Sequence, residues 1–202
     1  MTSHMIDFVR TFFWYVGRTG PVLEVGSYSE SQQEHLNLRT AFAPGTPYLG
    51  VDVLDGPGVD RRMDLLDPVQ VDAVYAEFTP AIVLCLYVVE HVWDIGRAAA
   101  ALGDMWKRNP ESWLWIATHQ NQPYHGTDKY GDYWRLTASG LGRLMDDAGV
   151  PDVKVFVLNG STNPEDVVAV RQPFSEIWPE EAVMKITSTI FLTSSQKWER
   201  YR

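Results

Sequence analysis

The sequence predicts an α/β fold in which a Rossmann-like, mostly parallel sheet carries helices on both faces. Three observations carry this expectation. Short apolar runs recur along the chain ("VLEV", "YLGVDV", "AIVLCLY", "SWLWIAT"), each bounded by Gly, Pro or polar residues. Segments with apolar residues at helical spacing lie between them. Polar residues follow several of the runs directly, as in "VVEHVWD". Strands alternating with helices build a parallel sheet, and such sheets bind ligands outside the carboxyl ends of their strands.

Each element has its own justification. Residues 5–17 place Ile6, Val9, Phe13 and Val16 on one helical face, with Phe12 and Trp14 beside them. The first strand is expected at 21–26. A polar helix is expected at 30–42, with Leu36, Leu38 and Phe42 as its few apolar anchors. Pro44-Gly45-Thr46-Pro47 is a turn, and the second strand runs from Tyr48 to Val53. After Gly56-Pro57-Gly58 a short strand is expected near 59–63, then a helix from Pro68 to Glu77. The fourth strand spans Ala81–Tyr87. Asp94–Lys107 follows as a helix with Ala98, Ala99, Leu102 and Met105 inward, and Asn109-Pro110 ends it. Ser112–Thr118 is the fifth strand. A helix over Thr137–Ala148 is capped by Thr137 and closed by Gly149. Val153–Leu158 and Val167–Arg171 are the last strands, and residues 173–202 read as a partly helical extension.

The chain has 202 residues, enough for one domain with a substantial core. An excess of 26 acidic over 17 basic residues leaves a formal charge of −9. Such a surface repels phosphate backbones and anionic membranes, and there is no Lys/Arg cluster to offset it, so nucleic acid is not the expected partner. The lone cysteine, Cys85, lies inside an apolar run and reads as a small core residue in a reducing compartment. No run reaches the roughly 18 apolar residues of a membrane span, and the N-terminus lacks the layout of a signal peptide. The expected location is cytoplasmic.

The residues that follow the strands are the candidates for chemistry. Gly26 ends the first strand and Asp52 ends the second, 26 residues later. A carboxylate there suits two ribose hydroxyls. A dinucleotide fingerprint would place its acid about 20 residues on and would need further glycines. Tyr28 and Glu30 stand in their place, so a pyrophosphate is disfavoured and a cofactor without phosphates is not. Glu90 and His91 stand at the mouth of the crevice. Two adjacent residues chelate poorly and the other histidines lie on other elements, so no metal site is expected; Glu90 or Asp94 as a helix cap is the plainer reading. The long polar loop "THQNQPYHGTDKYGDYWRLT" carries His119, His125, Asp132, Tyr133, Trp134 and Arg135. Loops of this length are often functional, and a histidine in one suits a general base. The local alternative pairs Asp132 with Arg135 and packs Trp134 on the sheet edge.

In that order, "VLEVGS", "YLGVDVLDGPGVD", "VVEHVWD" and "PYHGTDKYGDYWRLTASGLGRLMDDAG" resemble class I S-adenosylmethionine-dependent methyltransferases. The likeness is greatest to the bacterial type-11 group with a DYWR loop, and it covers about residues 20–171. The resemblance implies a seven-stranded sheet whose last strand is antiparallel. The expected division is residues 1–19 as an N-terminal helix, 20–172 as the methyltransferase domain, and 173–202 as an extension whose apolar content suggests packing on that domain or at a homodimer interface. The resemblance places Glu24, Gly26 and Ser27 against the methionine end of the cofactor, Asp52 on the ribose and Val53 beside the adenine, and Tyr28 either stacks on the cofactor or blocks it. Asp64 and Leu65 flank the adenine, Cys85, Leu86 and Tyr87 lie beneath the methionine, and His125 with Tyr133, Trp134 and Arg135 closes the substrate side. The second and third glycines usual in the first loop are absent here.

The expected function is methyl transfer from S-adenosylmethionine to O or N of a small molecule. His125 is the first candidate base and His119 the second. Tyr133, Trp134, Phe12 and Trp14 are expected to wall an apolar acceptor pocket. The alternative is a non-catalytic partner subunit that keeps the fold with a degenerate cofactor loop.

Overall fold

The computed structural model describes residues 3–29, 37–159 and 164–171. Among the described residues seven strands form one sheet: β1 (Val22–Val25), β2 (Tyr48–Asp52), β3 (Arg61–Arg62), β4 (Ile82–Leu86), β5 (Trp113–His119), β6 (Lys154–Asn159) and β7 (Pro164–Arg171). The order across the sheet is β3-β2-β1-β4-β5-β7-β6. β7 is antiparallel to both β5 and β6. The pairings from β3 through β5 are parallel. The strand order reverses between β1 and β4, which places the ligand-binding crevice of such a sheet above those two strands.

The helices are α1 (Ser3–Val16), α2 (Pro68–Glu77), α3 (Ile95–Arg108) and α4 (Ala138–Asp147). Their starts follow from side-chain caps. Asp67 accepts from the amides of Val69 and Gln70 with Pro68 in the first turn, Asp94 from Arg97, and Thr137 from Gly140. Asp94, not Glu90, is therefore the cap in "VVEHVWD". Gly149 closes α4 in the left-handed region, at φ 74°. The helix expected over 30–42 takes another form over its described part. Asn37 is extended, its side chain accepts from the Arg39 amide, and only a short 3-10 turn, Leu38–Ala41, follows. Residues 30–36 and the extension at 173–202 lie outside the described residues.

One face of the sheet packs α3 and α4 through Ala98, Ala99, Leu102, Met105, Leu141 and Met145 against Leu23, Val83, Leu114 and Ile116. The other face packs α1 and the 3-10 turn against Val22, Ile82, Leu84, Trp113 and Trp115. Phe12 meets Trp115 edge-on with ring centroids 4.5 Å apart, a geometry worth about 0.5–1.5 kcal/mol beyond area burial. Phe12 is thus core, and Trp14 is 75% exposed on the outer side of its helix. This corrects the expectation that the two wall an acceptor pocket. The heptad-like stripe of α1 is instead consumed by the two tryptophans of β5. Cys85 is buried in the α3 face, where desolvation pushes its thiol pKa up. Among the described residues no helix is long and apolar enough to cross a membrane.

Candidate functional site

The loop after β1 turns on Gly26, whose φ is 81°. A Cβ there would meet Cγ2 of Val88 at 2.0 Å. The glycine is therefore required by the backbone and by the close approach of the chain leaving β4. The amides of Gly26 and Ser27 both donate to the carbonyl of Val51, at 2.8 and 3.1 Å. Ser27 is buried with its hydroxyl toward Gly50. The Tyr28 ring lies against Gly56, where a Cβ would come within 2.6 Å of it. Tyr28 Oη receives a hydrogen bond from Lys129 Nζ, which ties the loop after β1 to the loop after β5.

Asp52 faces this loop. Oδ2 accepts from the Tyr28 amide at 3.0 Å and Oδ1 from the Leu54 amide at 2.9 Å. Two backbone donors fix the carboxylate, and each oxygen keeps a lone pair for a further donor. Glu24 lies beneath, buried, and accepts from Tyr48 Oη at 2.7 Å. Burial raises the Glu24 pKa to about 7 against the lowering effect of that hydrogen bond. Burial also pushes Tyr48 up, with the Glu24 charge second. Val53 is half-exposed. Asp64 caps its own turn by accepting from Leu66 at 2.8 Å. Leu65 and Leu86 point into the two cores, so they offer only backbone to a ligand.

A second group of side chains gathers at the carboxyl ends of β4 and β5. Antiparallel pairing sets His119 opposite Asp166, and His119 Nδ1 lies 2.9 Å from Asp166 Oδ1. Tyr87 Oη donates to the other oxygen of Asp166 at 2.6 Å, and its ring stacks on His119 with centroids 4.4 Å apart. Tyr87 holds a φ of 61°, an uncommon conformation for a bulky residue and one that concentrates at functional sites. Glu90 is fully buried. Its Oε2 accepts from Thr118 Oγ1 at 3.0 Å, while Oε1 has no hydrogen-bond partner. Desolvation raises the Glu90 carboxyl and lowers the His91 imidazole.

The loop after β5 is pinned over this group. Tyr133 N donates to Glu90 O at 2.8 Å, Leu136 N to His119 O at 3.2 Å, and Trp134 Nε1 to Val92 O at 3.0 Å. The Arg135 guanidinium donates to both Asp132 oxygens at 2.6 and 2.7 Å and to the carbonyls of Gln122 and Pro123. That pair holds the Asp132 carboxyl well below the ordinary range and raises Arg135. Arg135 is thus committed to its own loop, the local reading of the DYWR segment, and its donors are not directed at a substrate. Trp134 packs beside Trp93, and Tyr133 meets Trp93 edge-on at 5.4 Å. Tyr133 and Trp93 are exposed and form an aromatic rim.

The same loop delivers His125. Its ring meets those of His91 and His119 edge-on, both with centroids 5.0 Å apart. Ligand atoms of Glu90, His91 and His125 lie within 4.8 Å of one another. Spacing along the chain hid this proximity, because His125 and the Glu90-His91 pair sit on different loops. Asp166 was missed for the same reason, and its only sequence signal is an acid directly before the apolar run "VVAV" of β7.

No protein-family model and no curated protein matches the chain. Solved structures do match. A SAM dependent methyltransferase from Archaeoglobus fulgidus aligns at 13% identity over 84% of this chain and 93% of that one, with a TM-score of 0.56. The N-terminal domain of EvdMO1, crystallised in the presence of SAH and D-fucose, aligns at 20% identity over 83% of this chain and 82% of that one, with a TM-score of 0.52. The citrinin polyketide synthase CMeT domain aligns at 13% identity over 78% of this chain, with a TM-score of 0.51, and this chain spans 47% of its length. At these identities the likeness is one of fold, and the fold is that of class I SAM-dependent methyltransferases.

Proposed function

We propose that the chain transfers a methyl group from S-adenosylmethionine to an O or N atom of a small molecule. The observation that carries this reading is the position of Asp52. Its carboxylate is held by the Tyr28 and Leu54 amides at the β1/β2 end of the crevice, and the Asp166-His119 pair stands at the β4/β5 end of the same crevice. The first suits a ribose and the second suits removal of a proton.

When bound, S-adenosylmethionine supplies a methyl group already activated by its sulfonium. The chain's own task is then to bind, orient and deprotonate. Asp52 accepts the ribose hydroxyls. Asp166 fixes the proton of His119 on Nδ1 and leaves Nε2 to take a proton from the acceptor, while its charge stabilises the imidazolium formed. We reverse the order expected from sequence, because His125 has its Nε2 buried and the Asp132 carboxylate beside its Nδ1 is taken up by Arg135, whereas Asp166 faces His119 directly. Tyr133 and Trp93 give an apolar acceptor a face to lie on. SAH-bound structures of the same fold support the choice of cofactor.

Isothermal titration with S-adenosylmethionine tests the reading. Binding in the micromolar range is expected, and Asp52→Asn should weaken it about tenfold, the worth of a charge-assisted hydrogen bond. Absence of binding at millimolar cofactor would overturn it.

A further inference from the structure

With Glu90 ionised, Glu90, His91 and His125 present acceptor atoms to one another with no donor among them. His91 Nδ1 is hydrogen-bonded to the carbonyl of Gly131, which only accepts, so Nδ1 carries the proton and Nε2 a lone pair. His125 Nδ1 lies 3.1 Å from the Pro123 carbonyl and 3.2 Å from Asp132 Oδ2. The same argument puts its proton on Nδ1. The Arg135 nitrogen 3.4 Å away serves the Asp132 carboxylate and the Pro123 carbonyl at shorter range. Its Nε2 is buried without a partner, and so is Glu90 Oε1. His119, with Nδ1 on Asp166, brings a third Nε2 to 3.9 Å from Glu90 Oε1. Buried polar atoms in native proteins have partners, and a fully buried carboxylate oxygen facing imidazole lone pairs calls for something positive between them.

We infer that Glu90, His91 and His125 form a binding site for a divalent first-row transition ion such as Zn2+, with His119 beside it. Two imidazoles and one carboxylate favour such ions over Mg2+ or Ca2+, which take oxygen ligands. Each imidazole is already oriented through its other nitrogen by a carbonyl or carboxylate, the outer arrangement that metal-bound histidines have. Thr118 does the same for Glu90 through Oε2. Ligand atoms on a tetrahedral ion at about 2.1 Å stand roughly 3.4 Å apart, so the 4.8 Å cluster closes by about an ångström of side-chain rotation. Three protein ligands leave the ion open positions. On the methyl-transfer reading, and resting on it, an oxygen of the acceptor takes one of them and gives up its proton more readily to His119 Nε2.

The test needs neither cofactor nor turnover. Protein dialysed against a chelator is titrated with Zn2+ by calorimetry and with Co2+ by visible absorption. One equivalent of Zn2+ per chain at micromolar or tighter affinity is expected, together with Co2+ bands of a nitrogen- and oxygen-ligated ion. Millimolar Mg2+ should not displace it. His91→Gln and His125→Gln, at incompletely buried positions, should each weaken Zn2+ by at least tenfold and abolish the rise in melting temperature that Zn2+ gives the wild type. Asp104→Asn, on the outer side of α3, should change nothing. Wild-type binding weaker than about 100 μM, or equal binding in both histidine variants, would overturn the site and indicate that the cluster shares protons instead. Failure here leaves cofactor binding intact, whereas failure of the methyl-transfer reading shows in the S-adenosylmethionine titration.

Discussion

Asp166 and His119 are direct cross-strand neighbours on β7 and β5, and their side chains meet at 2.9 Å between Oδ1 and Nδ1. Antiparallel insertion of the last strand beside β5 puts a carboxylate behind a histidine at the edge of the crevice. With Tyr87 bonded to its other oxygen, Asp166 has one available orientation. Asp166→Asn keeps the shape and removes the charge. Turnover should fall by about 10- to 100-fold as the imidazolium loses its counter-charge. Affinity for S-adenosylmethionine should stay within about twofold, since Asp52 lies on a different strand. Single-turnover rates beside calorimetric affinities check this, and equal losses in both would place Asp166 in cofactor binding.

Glu24 makes stability depend on pH. Its pKa is raised from 4.5 to about 7 by burial in the folded chain. The native state therefore holds a proton that the unfolded state has released between those values, and stability falls as pH rises through that window. The loss attached to this group is about 3 kcal/mol by pH 8, as an order of magnitude. Glu24→Gln keeps an acceptor for Tyr48 and has no proton to lose. The difference in denaturation free energy between wild type and variant should be small at pH 4.5 and should favour the variant increasingly up to pH 8. A difference that does not change with pH would show that Glu24 ionises as it does in water.

Gly26 separates packing from cofactor contact. Gly26→Ala places a methyl within 2.0 Å of Val88 Cγ2 and forces a left-handed φ of 81° on alanine. Destabilisation of about 2–4 kcal/mol is expected from overpacking and backbone strain together. Adding Val88→Ala should recover the overpacking share and leave roughly 1 kcal/mol for the backbone. Urea denaturation of the single and double variants gives both shares. Unchanged stability in Gly26→Ala with loss of S-adenosylmethionine binding would assign the glycine to the ligand alone.

Local sequence determined the elements because their signals are local. Asp67, Asp94 and Thr137 cap the helices that follow them, and the apolar runs became β1, β2, β4 and β5. The sequence also supported two readings of the DYWR segment, and the Asp132-Arg135 pair realises the local one. Which face of the first loop Tyr28 covers was not legible, because Gly56 and Lys129 reach it from other loops.

Only the tertiary structure decided how the chemistry is grouped. His125 and Glu90 are 35 positions apart (125 minus 90), and Asp166 is 47 from His119. Nothing in spacing alone joins them. Strand order joins them, because β4 and β5 end side by side and β7 inserts next to β5 with its direction reversed. Side-chain chemistry is written residue by residue, but the convergence of acceptors on one buried point depends on which strand ends the sheet makes neighbours.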